Sequence, residues 1–372
     1  MKIPLSAADI TEKEISAVVN VLNGERLSMG NAIVKFEKIF TKYTKRKYAV
    51  AVNSGTSALH LIVRALGLQK GDEVITTPFS FIASSNCLLF EDVTPVFVDI
   101  ERETYNIDVS KIEEKITQKT KAILAVDVFG VPALWDKLIK IAKKHKLKLI
   151  QDSCEALGAE FKGRKIGSFG DAATFAFYPN KQITTAEGGM VLTDNKNIAD
   201  LCKSMRNQGR DNMQTWFGHV RLGYNYRLSE MQAALGIVQM TRIKEILKKR
   251  EIVAKYYEEN LKDIPGIKIP ENISYGKRSW FVYVIELGNK FNRKDRDKIM
   301  KLLRGQGVSC SNYFSPIHLQ PFYRKLFNFK RGYFPVTDYV SDRTIALPFF
   351  NKLTEKKVIY ITQKLKKIIL SL

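Results

Sequence analysis

The chain has 372 residues, of which 45% are hydrophobic and 26% charged, a composition typical of a globular protein with a substantial core. No apolar run approaches the length of a transmembrane helix, and the start MKIPLSAADITEKEI lacks the apolar core of a signal peptide. The four cysteines and four histidines are scattered, which indicates reduced thiols and predicts no metal site. These features predict a cytoplasmic protein without membrane insertion.

The formal net charge of +22 is the unusual bulk property of this sequence. It has three interpretations: nucleic-acid binding, a lysine-rich solvated surface, and steering of anionic substrates towards a site. The lysines are spread along the chain with only small clusters, such as KKHKLK at 143–148, and no nucleic-acid-binding motif accompanies them. The pattern therefore favours the solvated surface and predicts no nucleic-acid partner.

The first part of the chain predicts an α/β architecture. Thr11 and Glu14 have the spacing of a capping box, and apolar residues follow at helical spacing. From about residue 48 to 195, strand-like runs alternate with helical segments, which favours a mostly parallel sheet with helices on both faces. The predicted strands lie at residues 48–52, 73–76, 96–99, 122–127 and 147–150.

A tight turn with the sequence NSGTS, at 53–57, separates the first strand from an amphipathic helix. It places the backbone amides and hydroxyls of Gly55, Thr56 and Ser57 at a helix N-terminus, an arrangement that suits a phosphate dianion. Ordinary capping by Ser54, Thr56 or Ser57 is the alternative, and this segment alone favours it.

A second candidate site follows the strand predicted at 147–150. Asp152 falls at the C-terminal end of that strand, where open α/β sheets bind their ligands. Its carboxylate could pair with the protonated ring nitrogen of a pyridoxal cofactor. The alternative is an aspartate that caps the following turn.

Lys181 lies between two strand-like segments within residues 171–193. An amine held in a desolvated pocket loses its proton more readily, as a Schiff-base lysine must. The alternative is a surface lysine on a hairpin. In chain order, the phosphate cradle, the carboxylate and the amine together predict a pyridoxal 5'-phosphate site.

The last third of the sequence predicts a smaller α+β domain. Residues 226–261 read as one long helix bridging two domains, and Pro265, Gly266 and Pro270 then interrupt regular structure. We place a large cofactor-binding domain at 1–250, with an N-terminal segment able to pack on the small domain at 251–372. The C-terminal segment 355–372 carries an apolar stripe, expected to pack on the small domain rather than on a membrane surface.

The sequence resembles the DegT/StrS-type sugar nucleotide aminotransferase family, a branch of the fold-type I pyridoxal phosphate enzymes, from about residue 3 to about residue 350. The resemblance implies an aspartate-aminotransferase-like large domain with a mostly parallel sheet, plus a small α+β C-terminal domain. The matching blocks are NSGTSAL at 53–59, GDEVITTPFSFIASSN at 71–86, DSCEALGAEFKG at 152–163, FYPNKQITTAEGG at 177–189, GYNYRLSEMQAALG at 223–236 and YFSPIHLQPFYR at 313–324.

The resemblance implies a role for each candidate residue. Lys181 is the Schiff-base lysine that moves a proton between cofactor and substrate carbons, and Asp152 pairs with the pyridinium nitrogen. Phe81 stacks on the cofactor ring. The remaining implied cofactor contacts are Gly55, Thr56 and Ser57 at the phosphate, Glu155 beside the ring, and Asn225, which reaches the phosphate from the partner subunit. The implied substrate contacts are Ser28, Tyr178, Tyr313 and His318.

Three departures from the family pattern concern the site. Ala176 replaces a serine that helps to hold the phosphate in many relatives, which removes one hydroxyl contact. Glu155 stands where Gln or His is common. The segment 26–37 lacks a Gly-Pro that often follows its turn.

The resemblance implies transfer of an amino group from an amino acid, expected to be L-glutamate, to a nucleotide-linked ketosugar. The expected acceptor is a 4-keto-6-deoxyhexose used in polysaccharide or glycoconjugate biosynthesis. The expected assembly is a homodimer with shared active sites. Two alternatives stay open: a pyridoxal-phosphate-dependent sugar dehydratase or lyase, and a non-catalytic regulator that binds the cofactor.

Overall fold

The computed structural model of the protein describes residues 2–210 and 218–372. No helix in these two ranges is long and apolar enough to cross a membrane. The α-helices are α1 (Glu12–Leu22), α2 (Asn31–Thr44), α3 (Gly55–Ala65), α4 (Ala83–Leu89), α5 (Trp135–Lys144), α6 (Lys196–Arg206), α7 (Glu230–Thr241), α8 (Ile243–Leu261), α9 (Arg293–Gly305), α10 (Pro321–Phe327), α11 (Pro335–Ser341) and α12 (Glu355–Leu370). The strands are β1 (Tyr48–Val52), β2 (Glu73–Thr76), β3 (Thr94–Phe97), β4 (Thr120–Val126), β5 (Lys148–Asp152), β6 (Glu160–Phe161), β7 (Arg164–Lys165), β8 (Ala172–Ala176), β9 (Gly189–Thr193), β10 (Ile267–Lys268), β11 (Gly276–Lys277), β12 (Tyr283–Leu287) and β13 (Thr344–Leu347).

Within the described residues, seven strands form the large sheet, in the order β1-β9-β8-β5-β4-β2-β3. The pairs β2–β3, β2–β4, β4–β5 and β5–β8 are parallel, whereas β9 is antiparallel to both of its neighbours. Alternate strand residues enter two separate hydrophobic clusters, one on each face of the sheet. Burial of both faces is the arrangement expected for a mostly parallel sheet, and it confirms the predicted fold class.

The N-terminal capping box forms as predicted. The backbone amide and the hydroxyl of Thr11 both donate to Oε2 of Glu14. Thr11 is the N-cap residue, and α1 begins at Glu12. Three of the five predicted strands differ slightly in their bounds: those expected at 96–99, 122–127 and 147–150 lie at 94–97, 120–126 and 148–152. The two strand segments predicted around Lys181 are β8 and β9, adjacent and antiparallel.

The single helix predicted at 226–261 is wrong, because it is two helices that meet at Arg242. The backbone of Arg242 leaves helical geometry at φ −96° and ψ 4°. Its guanidinium turns inward, where Nη1 donates to Oε1 of Glu14 at 2.6 Å and Nη2 lies 3.3 Å from Oδ1 of Asp9. These ion pairs join residues far apart in sequence, so helix periodicity carries no sign of the break.

The C-terminal part forms the three-stranded sheet β10-β12-β13, packed against α8, α9 and α12. The apolar stripe of α12 is buried in the hydrophobic cluster between these helices and the sheet. The stripe therefore packs on protein, as the sequence predicted. Ile3 joins the same cluster, which brings the N-terminal segment onto the small sheet. Helix α8 crosses residue 250, and the division of domains there stays a prediction.

Replacement of Arg242 tests how much the buried ion pairs stabilise the fold. Arg242→Ala leaves Asp9 and Glu14 buried with less compensating charge, and we expect the free energy of unfolding to fall by roughly 3–5 kcal/mol. Urea denaturation followed by circular dichroism measures this change. Arg331→Ala, which breaks a half-exposed pair with Asp342, is the control and should cost about 1 kcal/mol or less. Equal losses of unfolding free energy in the two variants would contradict a special stabilising role for the buried ion pairs of Arg242.

Candidate active site

A cavity of about 770 Å³ opens at the carboxyl ends of the parallel strands. Val126, Asp152 and Ala176, the last residues of β4, β5 and β8, all line it. Ligands of open α/β sheets bind at this edge, and the volume lies in the range of small-molecule sites. The cavity is therefore the candidate active site.

Most of the sequence-predicted residues meet in this cavity. The lining includes Gly55, Thr56, Phe81, Asp152, Glu155, Tyr178, Lys181 and Tyr313. These residues are far apart in sequence, and only the tertiary structure brings them together.

Lys181 is the only cation among the described residues that line the cavity. Its side chain is 13% exposed, and Nζ lies 4.1 Å from the centre of the Phe281 ring. The backbone carbonyl of Lys181 accepts a hydrogen bond of 2.8 Å from the buried Arg250 of α8. The backbone of Lys181 is thus anchored to α8, and its amine lies at a partly desolvated position.

Asp152 is buried on the cavity wall and accepts two hydrogen bonds. Ser84 Oγ donates to Oδ2 at 2.7 Å, and the backbone N–H of Cys154 donates to Oδ1 at 3.1 Å. A carboxylate can accept about four hydrogen bonds, so capacity remains for a charged ring N–H. Ser80, whose hydroxyl lies 2.9 Å from that of Ser84, extends the chain of hydroxyls behind Asp152.

The N-terminus of α3 faces the cavity and provides donors for an anion. Ser54 caps the helix, with its hydroxyl accepting from the backbone N–H of Ser57. The first backbone N–H groups of a helix have no acceptor within it, and those of Gly55 and Thr56 lie on the cavity side. Ser57 itself lies outside the lining, because its hydroxyl donates to Asn53.

Gly55 packs too closely against the end of β8 to allow a side chain. A Cβ at this position would lie 2.7 Å from Cβ of Ala176 and 3.1 Å from Sγ of Cys154. Together with the helix N-terminus, the carboxylate and the amine, this cradle provides the donors and charges that pyridoxal phosphate requires. The residues present therefore fit the cofactor.

Besides Ser57, three predicted residues are not brought to the cavity: His318, Ser28 and Asn225. His318 is fully buried behind its wall, with Nε2 3.3 Å from Oδ1 of Asp338 and its ring packed edge-on against Phe334. Ser28 pairs with Ser229 near the start of α2 and lies outside the lining. Neither residue lines the cavity of its own chain, and the expected substrate contacts of His318 and Ser28 stay predictions.

Asn225 also lies outside the lining of its own chain. Its backbone carbonyl accepts a hydrogen bond from Nδ2 of Asn53 at 3.4 Å. The expected contact of Asn225 is with the cofactor of the partner subunit, and it stays a prediction.

Sequence reasoning missed Ser84 and Phe281. Ser84 lies within the block GDEVITTPFSFIASSN, but serines are common and nothing local connects this one to Asp152. Phe281 lies in the strand-like run WFVYVIEL, one hundred residues after the lysine that its ring contacts. No local signal could have found either residue.

The chain matches the DegT/DnrJ/EryC1/StrS aminotransferase family over residues 8–366. It belongs to this family. The aminotransferase is 35% identical to GDP-perosamine synthase of Escherichia coli O157:H7, with 98% of each chain covered. It superposes on Helicobacter pylori PseC, an aminotransferase involved in the biosynthesis of pseudoaminic acid, with a TM-score of 0.94 and 32% identity over 100% of both chains.

A further solved structure is the PLP form of a provisionally assigned sugar aminotransferase from Streptococcus pneumoniae. It covers 100% of this chain and 99% of its own, with a TM-score of 0.94 and 27% identity. The predicted family, enzyme class and cofactor are confirmed: the protein is a pyridoxal-phosphate-dependent aminotransferase.

Replacement of Gly55 tests the phosphate cradle of this aminotransferase. In Gly55→Ala the added methyl group displaces Ala176 or α3, and we expect the affinity for pyridoxal phosphate to fall at least tenfold, about 1.4 kcal/mol. Titration of the cofactor-free protein, followed by absorbance, measures the change. Gly305→Ala is the matched control, because a Cβ there meets nothing within 4 Å. An unchanged affinity in Gly55→Ala would argue against this cradle.

Proposed function

We propose that this aminotransferase transfers an amino group from L-glutamate to a nucleoside-diphosphate-linked ketosugar, with a 4-keto-6-deoxyhexose as the acceptor. The observation that carries the proposal is one cavity lined by Lys181, Asp152 and the open N-terminus of α3. The amine, the carboxylate and the anion-binding helix end are the groups that amino transfer on this cofactor requires.

Each group has a separate task in the proposed reaction. Pyridoxal phosphate, when bound, supplies an aldehyde carbon and an electron-withdrawing ring. Asp152 holds a proton on the ring nitrogen, and the N–H groups of Gly55 and Thr56 bind the phosphate. With the cofactor bound, the ring of Phe81, exposed on the cavity wall, would stack on the cofactor ring. Lys181, when its amine is free, moves a proton between carbon atoms.

The size and lining of the cavity support a sugar-sized acceptor. Beyond Lys181 the wall carries Tyr178, Asn180, Asn312 and Gln320, whose polar groups suit sugar hydroxyls. Relatives named GDP-perosamine synthase, and a structural relative in pseudoaminic acid biosynthesis, support an aminosugar product for polysaccharide or glycoconjugate biosynthesis. The net charge of +22 would raise the encounter rate with both anionic substrates.

A lyase or dehydratase acting on a similar sugar is the remaining candidate, because such a reaction would use the same cofactor and the same ring-nitrogen partner. The products separate the two reactions. Amino transfer from L-glutamate yields one 2-oxoglutarate for each aminosugar, whereas a lyase or dehydratase releases ammonia or water without a keto acid.

Replacement of Lys181 tests the proposed reaction. We expect Lys181→Ala to lose the visible absorption band of the bound cofactor and at least a thousandfold of the transfer rate, about 4 kcal/mol of barrier. The measurements are absorbance before and after L-glutamate, then mass spectrometry of products from GDP-, UDP- and dTDP-linked 4-keto-6-deoxyhexoses. Lys165→Ala, at a lysine that pairs with Glu160 outside the cavity, is the control. A wild-type band in Lys181→Ala would mean that another lysine binds the cofactor.

We further propose that the active sites are shared across a homodimer, with Asn225 reaching the partner's cofactor. Two observations support this proposal. Residues 223–227 resemble the family segment that crosses between subunits, and Asn225 lies outside the cavity of its own chain. We expect Asn225→Ala to weaken cofactor binding about tenfold.

Mixed dimers test the sharing directly. In a heterodimer of Lys181→Ala with Asn225→Ala, one site contains both intact residues and the other contains neither. At limiting cofactor, sharing predicts activity approaching half that of the wild type. If Asn225 serves its own chain, both sites stay impaired and the mixture gains nothing over the separate variants.

A further inference from the structure

Glu155 is a buried carboxylate in the cavity, next to Lys181. Its side chain is 5% exposed, and the backbone N–H of Phe129 donates to Oε2 at 2.9 Å. The other oxygen, Oε1, lies 3.9 Å from Nζ of Lys181, which is too long for a hydrogen bond. The two groups therefore interact through their charges across a short gap on the cavity wall.

The backbones of the two residues are held at a fixed spacing. Nε2 of Gln182, the residue after Lys181, donates to the backbone carbonyl of Glu155 at 2.6 Å. On the other side, Arg250 holds the carbonyl of Lys181. Because the Gln182 side chain links the two segments, the backbones of Glu155 and Lys181 are tied together on the cavity wall.

The surroundings strengthen this charge interaction. The aromatic face of Phe281 covers another side of Nζ, so the nitrogen meets little solvent. Charges about 4 Å apart in a partly desolvated site interact several times more strongly than in water. Among the residues that the structure describes, the other titratable groups that interact with Glu155 are Asp152, Cys154 and Tyr313.

Burial raises the pKa of Glu155 to about 7, although the nearby Lys181 charge and the N–H of Phe129 lower it and Asp152 raises it further. Burial also raises the pKa of Cys154 and Tyr313, which keeps both neutral at physiological pH. Glu155 is therefore a group beside Lys181 whose charge changes near neutral pH.

We propose that Glu155 is a positioning residue that holds a proton on the side-chain nitrogen of Lys181. The inference deepens the proposed function and rests on it, because it requires Lys181 to be the lysine that joins the cofactor. No covalent bond to carbon changes: the nitrogen retains its proton while Glu155 is ionised and releases it more readily when Glu155 is neutral. The nitrogen therefore keeps its proton to a higher pH than it would in a site without the charge of Glu155.

The test is a pH titration of the visible absorption band in the enzyme carrying pyridoxal phosphate. Glu155→Gln removes the charge but keeps an oxygen that accepts from Phe129. We expect the midpoint at which the nitrogen loses its proton to fall by about one pH unit or more, a tenfold loss of proton affinity. Glu155→Asp keeps the charge one methylene further away, so its midpoint should lie between those of Glu155→Gln and the wild type. Glu160→Gln, which removes a carboxylate outside the cavity, should leave the midpoint unchanged.

The outcomes separate this inference from the proposed function. A midpoint that is unchanged or higher in Glu155→Gln, with a band that still depends on Lys181, would overturn the inference alone. A band that survives in Lys181→Ala would instead refute the role of Lys181. If Glu155→Gln does not retain the cofactor, Glu155→Asp provides the test. A titration midpoint in Glu155→Asp equal to that of the wild type would contradict an effect of the carboxylate on the nitrogen.

Discussion

The parallel alignment of β4, β5 and β8 is the constraint on which the site depends. Because the three strands point the same way, their last residues reach one edge of the sheet and open into one cavity. Strand β9 runs in the opposite direction, so the chain between β8 and β9 turns at that same edge and carries Lys181 across it. Asp152 and Lys181 therefore line the same cavity because of strand direction, although 28 residues separate them.

The balance of charged residues lining the cavity differs in sign from that of the whole chain. The chain as a whole carries a net charge of +22, whereas the described residues that line the cavity include three acidic residues, Asp152, Glu155 and Glu187, and one lysine. A positive exterior attracts anionic substrates over a distance comparable with the Debye length. The carboxylates inside favour protons on nitrogen atoms, and amino transfer depends on where those protons reside. In the proposed function, the net positive charge would act on the approach of the substrates, whereas the carboxylates in the cavity would act on the chemistry.

The N-terminal segment and the break between α7 and α8 depend on each other. Arg242 ends α7 because its guanidinium is drawn to Asp9 and Glu14, and α8 then departs in a direction that lets Arg250 bind the carbonyl of Lys181. Burial raises the pKa of Glu14, but hydrogen bonds from Thr11, Arg242 and Gln239 outweigh it and lower the pKa to about 2. The carboxylate consequently stays ionised, and the network persists, well below neutral pH.

The sequence by itself determined the α/β class, the strands around Lys181, the capping box, and the family through blocks in a fixed order. These features are local: periodicity, turn chemistry and short motifs are read within a window of a few turns. The tertiary structure alone decided that Arg242 breaks a helix, that Ser84 and Phe281 adjoin the site, that His318 lies behind the cavity wall, and that Glu155 lies 3.9 Å from the amine. Those outcomes arise from contacts between residues distant in the chain, whose energies depend on burial and geometry that no local pattern encodes.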